Sequence, residues 1–402
     1  MERKVYAAHE HNILPDAIDK DAIGIIRKLK RNGFSAYLVG GSVRDLALGR
    51  SPKDYDISTS ARPEEIKKLF SNCILIGRRF RLAHIHFHKK VVEVSTFRKG
   101  DNEDASLIVT DNTWGTEEED VIRRDFTLNG LFYDPETEEI IDYVEGFRDL
   151  KRNILETIGD PYIRFKQDPV RMLRLIKFRA RFGFEVEKRT YEALLDLREE
   201  IHKSSPARIT EEVANILALG SATTFFKQLK HFGFFPILLP YIYEMMDGPL
   251  ESTVFDFFHL IDEEVLVGNH SFPRSVLFSA LLFPLFHDNL QKEIKTREIL
   301  PHLGEIQDKA HEFVRQATRP VIILSKKLVF EIALILSSQF RFTPLDTKRR
   351  VQYRIPHARE FSYCMKFLKL RSQIEPALGE VFDTWNYYYQ KKRTRQPQHD
   401  SK

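Results

Sequence analysis

The segment Lys53-Asp54-Tyr55-Asp56-Ile57-Ser58 carries the clearest chemical signal in the chain. On a strand, residues i and i+2 point to the same side. Asp54 and Asp56 would then aim two carboxylates at one point, an arrangement suited to a hard cation such as Mg²⁺. The same pair at an exposed strand end or turn would simply be hydrated. A third acid favours chemistry. Glu93 interrupts the β-branched run Val91-Val92-Glu93-Val94. An acid in such a strand is either exposed and paired, or buried because it binds something.

Upstream, Leu38-Val39-Gly40-Gly41-Ser42-Val43-Arg44-Asp45 reads as a strand, a glycine turn and a helix start. Backbone N–H groups at such a turn, with the helix dipole behind them, form an anion site. An anion site followed by paired carboxylates implies a metal-bound phosphate. Other candidates carry less. His84, His86 and His88 alternate on one strand face, but no carboxylate or cysteine follows at ligand spacing. His287-Asp288 stands without partner residues. The aromatic runs Phe255 to His259 and Trp385 to Tyr389 read as helix core.

The elements that must position these groups fall into two regimes. Strands are expected at Ala36 to Val39, Asp54 to Ile57, Ala83 to Phe97 (two strands joined at Lys89-Lys90), Gly130 to Tyr133 and Ile140 to Tyr143. Helices are expected at Ala22 to Arg31, Ser42 to Leu48 and Pro63 to Phe70, the first two closed by Gly33 and Gly49. Beyond residue 155 the pattern is helical, beginning with Val170 to Phe182, Thr190 to Glu199, Thr210 to Leu219 and Ala222 to His231. The expected fold is a multidomain α+β and all-α chain: a small mixed-sheet head followed by a helical neck, body and tail. Its bounds are 1–155, 156–220, 221–345 and 346–402, the last dozen residues being polar and disordered.

Composition supports folded domains. The chain has 402 residues, 42% apolar and 30% charged, enough for two to four domains at about 150 residues each. Its 62 Lys+Arg against 58 Asp+Glu give a net +4 that alone suggests no nucleic-acid partner. The average conceals a gradient. From Arg341 onward there are 14 Lys and Arg against 6 Asp and Glu, a net +8, leaving −4 for the rest. Cys73 and Cys364 lie too far apart for a disulfide framework or a C-x-x-C site. The most apolar run, Val276 to Phe286, contains Pro284 and is far short of the roughly 20 residues of a membrane span. A cytoplasmic protein without membrane contact is expected.

Four motifs in order, Gly40 to Asp45, Asp54-Tyr55-Asp56, Arg123-Arg124-Asp125-Phe126-Thr127-Leu128-Asn129 and Asp168-Pro169-Val170-Arg171-Met172-Leu173-Arg174, resemble the bacterial tRNA nucleotidyltransferase/poly(A) polymerase family. The likeness runs from residue 36 to about 215, roughly half the chain. It implies two Mg²⁺ ions on Asp54 and Asp56, with Glu93 as third acid. It further implies nucleotide contacts from Gly40, Gly41, Ser42, Arg44 and Asp45. Arg123, Arg124, Asp125 and Asn129 would engage the sugar and triphosphate, Asp125 accepting from a ribose hydroxyl, although such a cluster can also be an internal ion pair. Asp168 and Arg171 would bond the base edge as a protein template. Asp168-Pro169 also looks like a plain helix start, with Asp168 as cap. Arg171, Arg174 and Arg181 share one helix side and would face nucleotide, RNA phosphate or solvent. Gln167 departs from the family's usual glutamate, which puts the details of base selection in question. Ser205 to Glu212 resembles the family's next helix start, with Ser205 as cap and Pro206 first in the helix.

The implied reaction is attack of an RNA 3′-hydroxyl on the α-phosphate of a nucleoside triphosphate, releasing pyrophosphate. Members add either adenosines or CCA. Leu75 to Phe87, with Arg78, Arg79 and Arg81, resembles the adenosine-adding members. The basic clusters Lys348-Arg349-Arg350 and Lys391-Lys392-Arg393 would give sequence-independent RNA phosphate contacts. ATP and RNA 3′ ends are the expected partners. CCA addition to tRNA is the alternative, and an inactive RNA-binding regulator a further one.

Overall fold

The computed structural model describes residues 2–77, 82–88, 90–99, 113–246, 248–268, 270–346, 352–356 and 360–394. Lys348, Arg349, Arg350, Arg78, Arg79 and Arg81 lie outside the described residues, as does the side chain of Arg393. The chain forms two compact units, Met1–Ile201 and His202–Lys402.

The first unit is built on an eight-stranded mixed sheet. Its strands are β1 (Lys4–Tyr6), β2 (Ala36–Val39), β3 (Asp56–Thr59), β4 (Cys73–Ile76), β5 (Leu82–Phe87), β6 (Lys90–Thr96), β7 (Leu131–Asp134) and β8 (Glu139–Asp142). They lie in the order β1-β8-β7-β2-β3-β6-β5-β4. Adjacent strands are antiparallel except β3 and β6, which run parallel. A parallel pair needs a crossover, and here the chain from Ser60 to Lys89 supplies it. The crossover places the start of β3, the second aspartate of the D-x-D, beside the middle of β6.

The helices of this unit are α1 (Lys20–Arg31), α2 (Gly41–Ala47), α3 (Pro63–Leu69), α4 (Glu117–Ile122), α5 (Gly146–Arg152), α6 (Pro161–Gln167), α7 (Val170–Phe182) and α8 (Lys188–Asp196). The Asp19 carboxylate caps α1, accepting from the N–H groups of Asp21 and Ala22 at 2.9 and 3.2 Å. Ala22, Ile25, Ile26 and Leu29 form its buried stripe, one face of a 3.6-residue period. Val39, Phe97, Val121, Phe132, Ile141 and Ile158 close a core beside the strands that carry the acids.

The second unit is helical. Its longer helices are Pro206–Leu217, Ala222–His231, Gly248–Leu266, Arg274–Arg297, Leu303–Thr318, Lys326–Phe342, Phe361–Ile374 and Gly379–Thr394. The apolar run Val276 to Phe286 lies within Arg274–Arg297 and is buried throughout, Pro284 included. No helix among the described residues is long and apolar enough to cross a membrane.

Three local expectations change. The strand begins at Asp56, so Asp54 lies on the bend before it and not two places along a pleat. Asp168 ends α6, its N–H donating to the Arg164 carbonyl, and Pro169 rather than Asp168 holds the cap position of α7. Pro206 does open its helix, but the Ser205 side chain makes no cap hydrogen bond.

Candidate active site

Strand register gathers the acids. Val39 pairs with Asp56, Asp56 with Glu93, and Glu93 with His84, giving one row across β2, β3, β6 and β5. His84 Nε2 lies 3.6 Å from Glu93 Oε2. The hairpin between β5 and β6 brings this carboxylate to the histidine, which linear spacing conceals. Among the described residues, no three histidine, cysteine or acidic side chains already form a metal cage.

Asp56 carries the electrostatic signature of the site. Its carboxyl is lifted to about 6, first by loss of hydration, then by the Glu93 charge and, more weakly, by Asp54, with Arg124 pulling the other way. Like charges converge here, and all the donors are carboxylate oxygens. That donor set fits a hard divalent cation. Asp56 and Glu93 are held by the sheet, and Asp54 lies on the bend before it.

Arg124 lies beside this row, on the face that Asp56 shares with Ser58. Its Nη2 bonds Ser58 Oγ at 3.2 Å and Asp120 Oδ2 at 2.8 Å. Asp120, fully buried in the first turn of α4, also takes Arg123 Nε at 2.8 Å and the N–H of Arg98 at 3.2 Å. Burial alone would raise the Asp120 carboxyl, but Arg124 and Arg123 together hold it below the usual carboxylate range. Asp120 was missed in the sequence, though its i,i+3 and i,i+4 spacing to two arginines was a readable signal. The turn before α2 completes this side. Gly40 has φ +62°, and a Cβ there would stand 3.1 Å from Arg124 Nη1. Its N–H donates to the Leu131 carbonyl at 3.3 Å, and Ser42 Oγ donates to the Val39 carbonyl at 2.9 Å.

The second motif forms a buried network. Arg44 Nη1 donates to Asn129 Oδ1 at 2.6 Å, and its Nε and Nη2 hold Asp45 Oδ1 at 2.9 and 2.8 Å. Its guanidinium also covers the rings of Phe178 and Phe182. Asn129 Nδ2 donates to Asp125 Oδ1 at 2.9 Å, which also takes the N–H of Phe126 at 2.8 Å. Arg174 Nη2 meets Asp125 Oδ2 at 2.8 Å. Burial would raise Asp125, yet Arg174, Asn129 and the Phe126 N–H leave it lowered. Arg44, Asp45 and Asp125 therefore form an internal brace.

The basic stripe of α7 faces the head's own groups. Arg174 meets Asp125, and Arg181 Nη2 meets Asp45 Oδ2 at 2.9 Å. Arg171 is buried, donating from Nη1 and Nη2 to the carbonyls of Arg164 and Arg123 at 3.3 and 3.1 Å. Arg164, also missed in the sequence, bonds the carbonyls of Ile122 and Arg124 at 3.1 and 2.8 Å. Its Nη1 donates to Gln167 Oε1 at 3.0 Å. Asp168 stands half-buried at the corner between α6 and α7. Guanidinium forks thus tie the start of α7 to the end of α4.

The remaining candidates belong to the second unit. Lys392 Nζ donates to the Ile355 carbonyl at 2.6 Å, and Lys391 lies over the Tyr387 ring, both in the second unit. His287 is stacked on Phe340, and Asp288 pairs with Lys292.

Residues 36–156 match the family described as the poly A polymerase head domain. Residues 183–246 match one described as a probable RNA and SrmB-binding site of polymerase A. Poly(A) polymerase I of Haemophilus influenzae is 39% identical over 299 residues, covering 71% of this chain and 66% of that protein. Poly(A) polymerase I of Salmonella typhi is 32% identical over 382 residues, covering 91% of this chain and 81% of that protein. Among solved structures, the Bacillus stearothermophilus CCA-adding enzyme in complex with CTP shares the fold at a TM-score of 0.64 and 23% identity, over 92% of this chain and 82% of that one. The chain belongs to the tRNA nucleotidyltransferase/poly(A) polymerase family of RNA nucleotidyltransferases.

Proposed function

We propose that the chain adds adenosine monophosphates from ATP to RNA 3′ ends without a template, releasing pyrophosphate. The observation that carries this reading is the in-register pair Asp56 and Glu93, with Asp54 beside it. Asp54, Asp56 and Glu93 would hold two Mg²⁺ ions. When bound, Mg²⁺ supplies positive charge to the attacking and leaving oxygens. The chain's own contribution is position and further charge. Arg123 and Arg124, anchored on Asp120, present cations beside the row toward a triphosphate. Arg174 and Asn129 would meet the sugar side, held by Asp125. Gly40, Gly41 and Ser42 would meet a phosphate at the turn, with Arg44 and Asp45 bracing it. Asp168 would meet the base edge, and Arg171 would fix that corner.

The division into head (1–155), neck (156–220), body (221–345) and basic tail (346–402) is part of the same proposal. The clusters Lys348-Arg349-Arg350 and Lys391-Lys392-Arg393 would contact RNA backbone. Adenosine addition is favoured because the likeness to a poly(A) polymerase extends through both units. CCA addition is the second reading, favoured by the shared fold with a CCA-adding enzyme. The two separate when the protein is given a tRNA lacking its CCA end and an unstructured RNA, with each NTP alone and then all four. Long A-tails on both with little CTP use support adenosine addition; one CCA addition that then stops would replace it.

A further inference from the structure

The second unit holds a cavity of about 810 Å³ whose walls include Arg341, Arg354, Lys391 and Lys392, with no acid among its lining residues. Two tyrosines complete it. Tyr353 and Tyr388 stack with ring centroids 4.7 Å apart and planes 13° from parallel. Both remain 38% exposed. The stack is supported from behind: Tyr353 packs edge-on against Trp385 at 5.1 Å, and Trp385, 1% exposed, packs against Phe342 at 5.0 Å. The aromatic run expected to be helix core is therefore split. Trp385 is core, while Tyr388 turns a ring to the cavity.

Two of the cations are positioned by backbone carbonyls. Arg341 Nη1 donates to the Arg354 carbonyl at 3.3 Å, and Lys392 Nζ to the Ile355 carbonyl at 2.6 Å. These two bonds tie segment 352–356 to the helices Lys326–Phe342 and Gly379–Thr394, so the rings and the charges are held as one surface. Arg341 and Arg354 also line a neighbouring cavity of about 390 Å³. That neighbouring cavity carries Asp346 in its wall, so the acid-free lining belongs to the first cavity.

A site with exposed aromatic faces, four cations and no carboxylate complements a flexible polyanion that carries planar rings. We infer that this cavity is a binding site for single-stranded RNA, in which a base stacks on the Tyr353–Tyr388 pair and flanking phosphates meet Arg354, Arg341 and the two lysines. Stacking on an aromatic face accepts any base, and a duplex keeps its bases stacked on one another, so the site selects strandedness and not sequence. The inference rests on the proposed RNA chemistry and adds to the backbone contacts of Lys391 and Lys392 a base-stacking site outside the catalytic acids' strands. The segment matched as a probable RNA-binding site, residues 183–246, contains none of these residues.

The test uses the full chain, without divalent cations, binding a fluorescent single-stranded oligo(A) and a duplex of equal length. Tyr388→Ala should weaken single-strand binding about tenfold, as expected for one lost stacked base, while Tyr388→Phe retains it. Arg354→Ala should weaken binding and flatten its dependence on salt. Turnover by Tyr388→Ala at saturating RNA should match the wild type, with a raised KM for RNA. Unchanged single-strand binding by Tyr388→Ala would overturn the inference, as would equal losses for single strand and duplex. If the wild type adds no nucleotide, the proposed reaction fails while the binding comparison still reads this site.

Discussion

Asp56 on β3 and Glu93 on β6 are register partners in the parallel strand pair of the eight-stranded sheet, so their carboxylates leave the same face one strand spacing apart. Loss of hydration lifts the Asp56 carboxyl to about 6, and the neighbouring Glu93 charge adds to the rise. An acid with a raised value favours its protonated form in the folded state, so it opposes folding at neutral pH. Stability attributable to Asp56 should rise as pH falls from about 6 toward its usual 3.8.

A divalent cation should relieve the same repulsion. Mg²⁺ should raise the thermal midpoint of the wild type, because a ligand of the folded state stabilises it. Asp56→Asn should be at least as stable as the wild type without Mg²⁺ and should respond less to its addition. Calorimetry with and without EDTA reads both effects.

Asp120 is a buried anchor for two arginines. Asp120→Ala should destabilise the chain by about 3 kcal/mol, the cost of breaking a buried pair by removing one partner. Because Arg124 and Arg123 hold its carboxyl down, the stability Asp120 contributes is present at neutral pH and lost as pH falls below the usual carboxylate range. Urea unfolding across that range measures it.

Gly40 combines a positive φ with a close neighbour. Gly40→Ala should cost about 1–3 kcal/mol from backbone strain and push Arg124 aside. Nucleotide addition should fall through a higher KM for ATP, since Arg124 is proposed to face the triphosphate.

Arg171 donates from two nitrogens to two carbonyls, which a lysine cannot copy. Arg171→Lys should therefore loosen the corner that holds Asp168. The ratio of ATP to CTP incorporation should drop more than the total rate. An unchanged ratio would remove Arg171 from base selection.

Periodicity made most of the head legible. Ala36–Val39 and Val170–Phe182 have the expected bounds because each is a continuous apolar or amphipathic run with clear ends. The acids could be named from their types, but their meeting could not. Asp56 and Glu93 lie far apart in sequence, and only the β3–β6 crossover puts them side by side. Short edge strands such as Lys4–Tyr6 carry too few residues to show a period. The arginines of α7 were legible as a stripe, yet which partner they meet depends on Asp125 and Asp45, brought near by the fold. Tyr388 was hidden for a related reason: Trp385 beside it is core, and nothing in the sequence distinguishes the two faces of that helix.

The central claim is that the Asp56–Glu93 row carries nucleotidyl transfer. Incorporation of labelled AMP into an RNA primer by Asp56→Asn, at saturating ATP and Mg²⁺ and with folding checked by circular dichroism, tests it most directly. A loss of about a thousandfold or more, comparable to removing a major electrostatic group from a transition state, is the predicted result. A folded Asp56→Asn working within about tenfold of the wild type, where such a loss is expected, would contradict it.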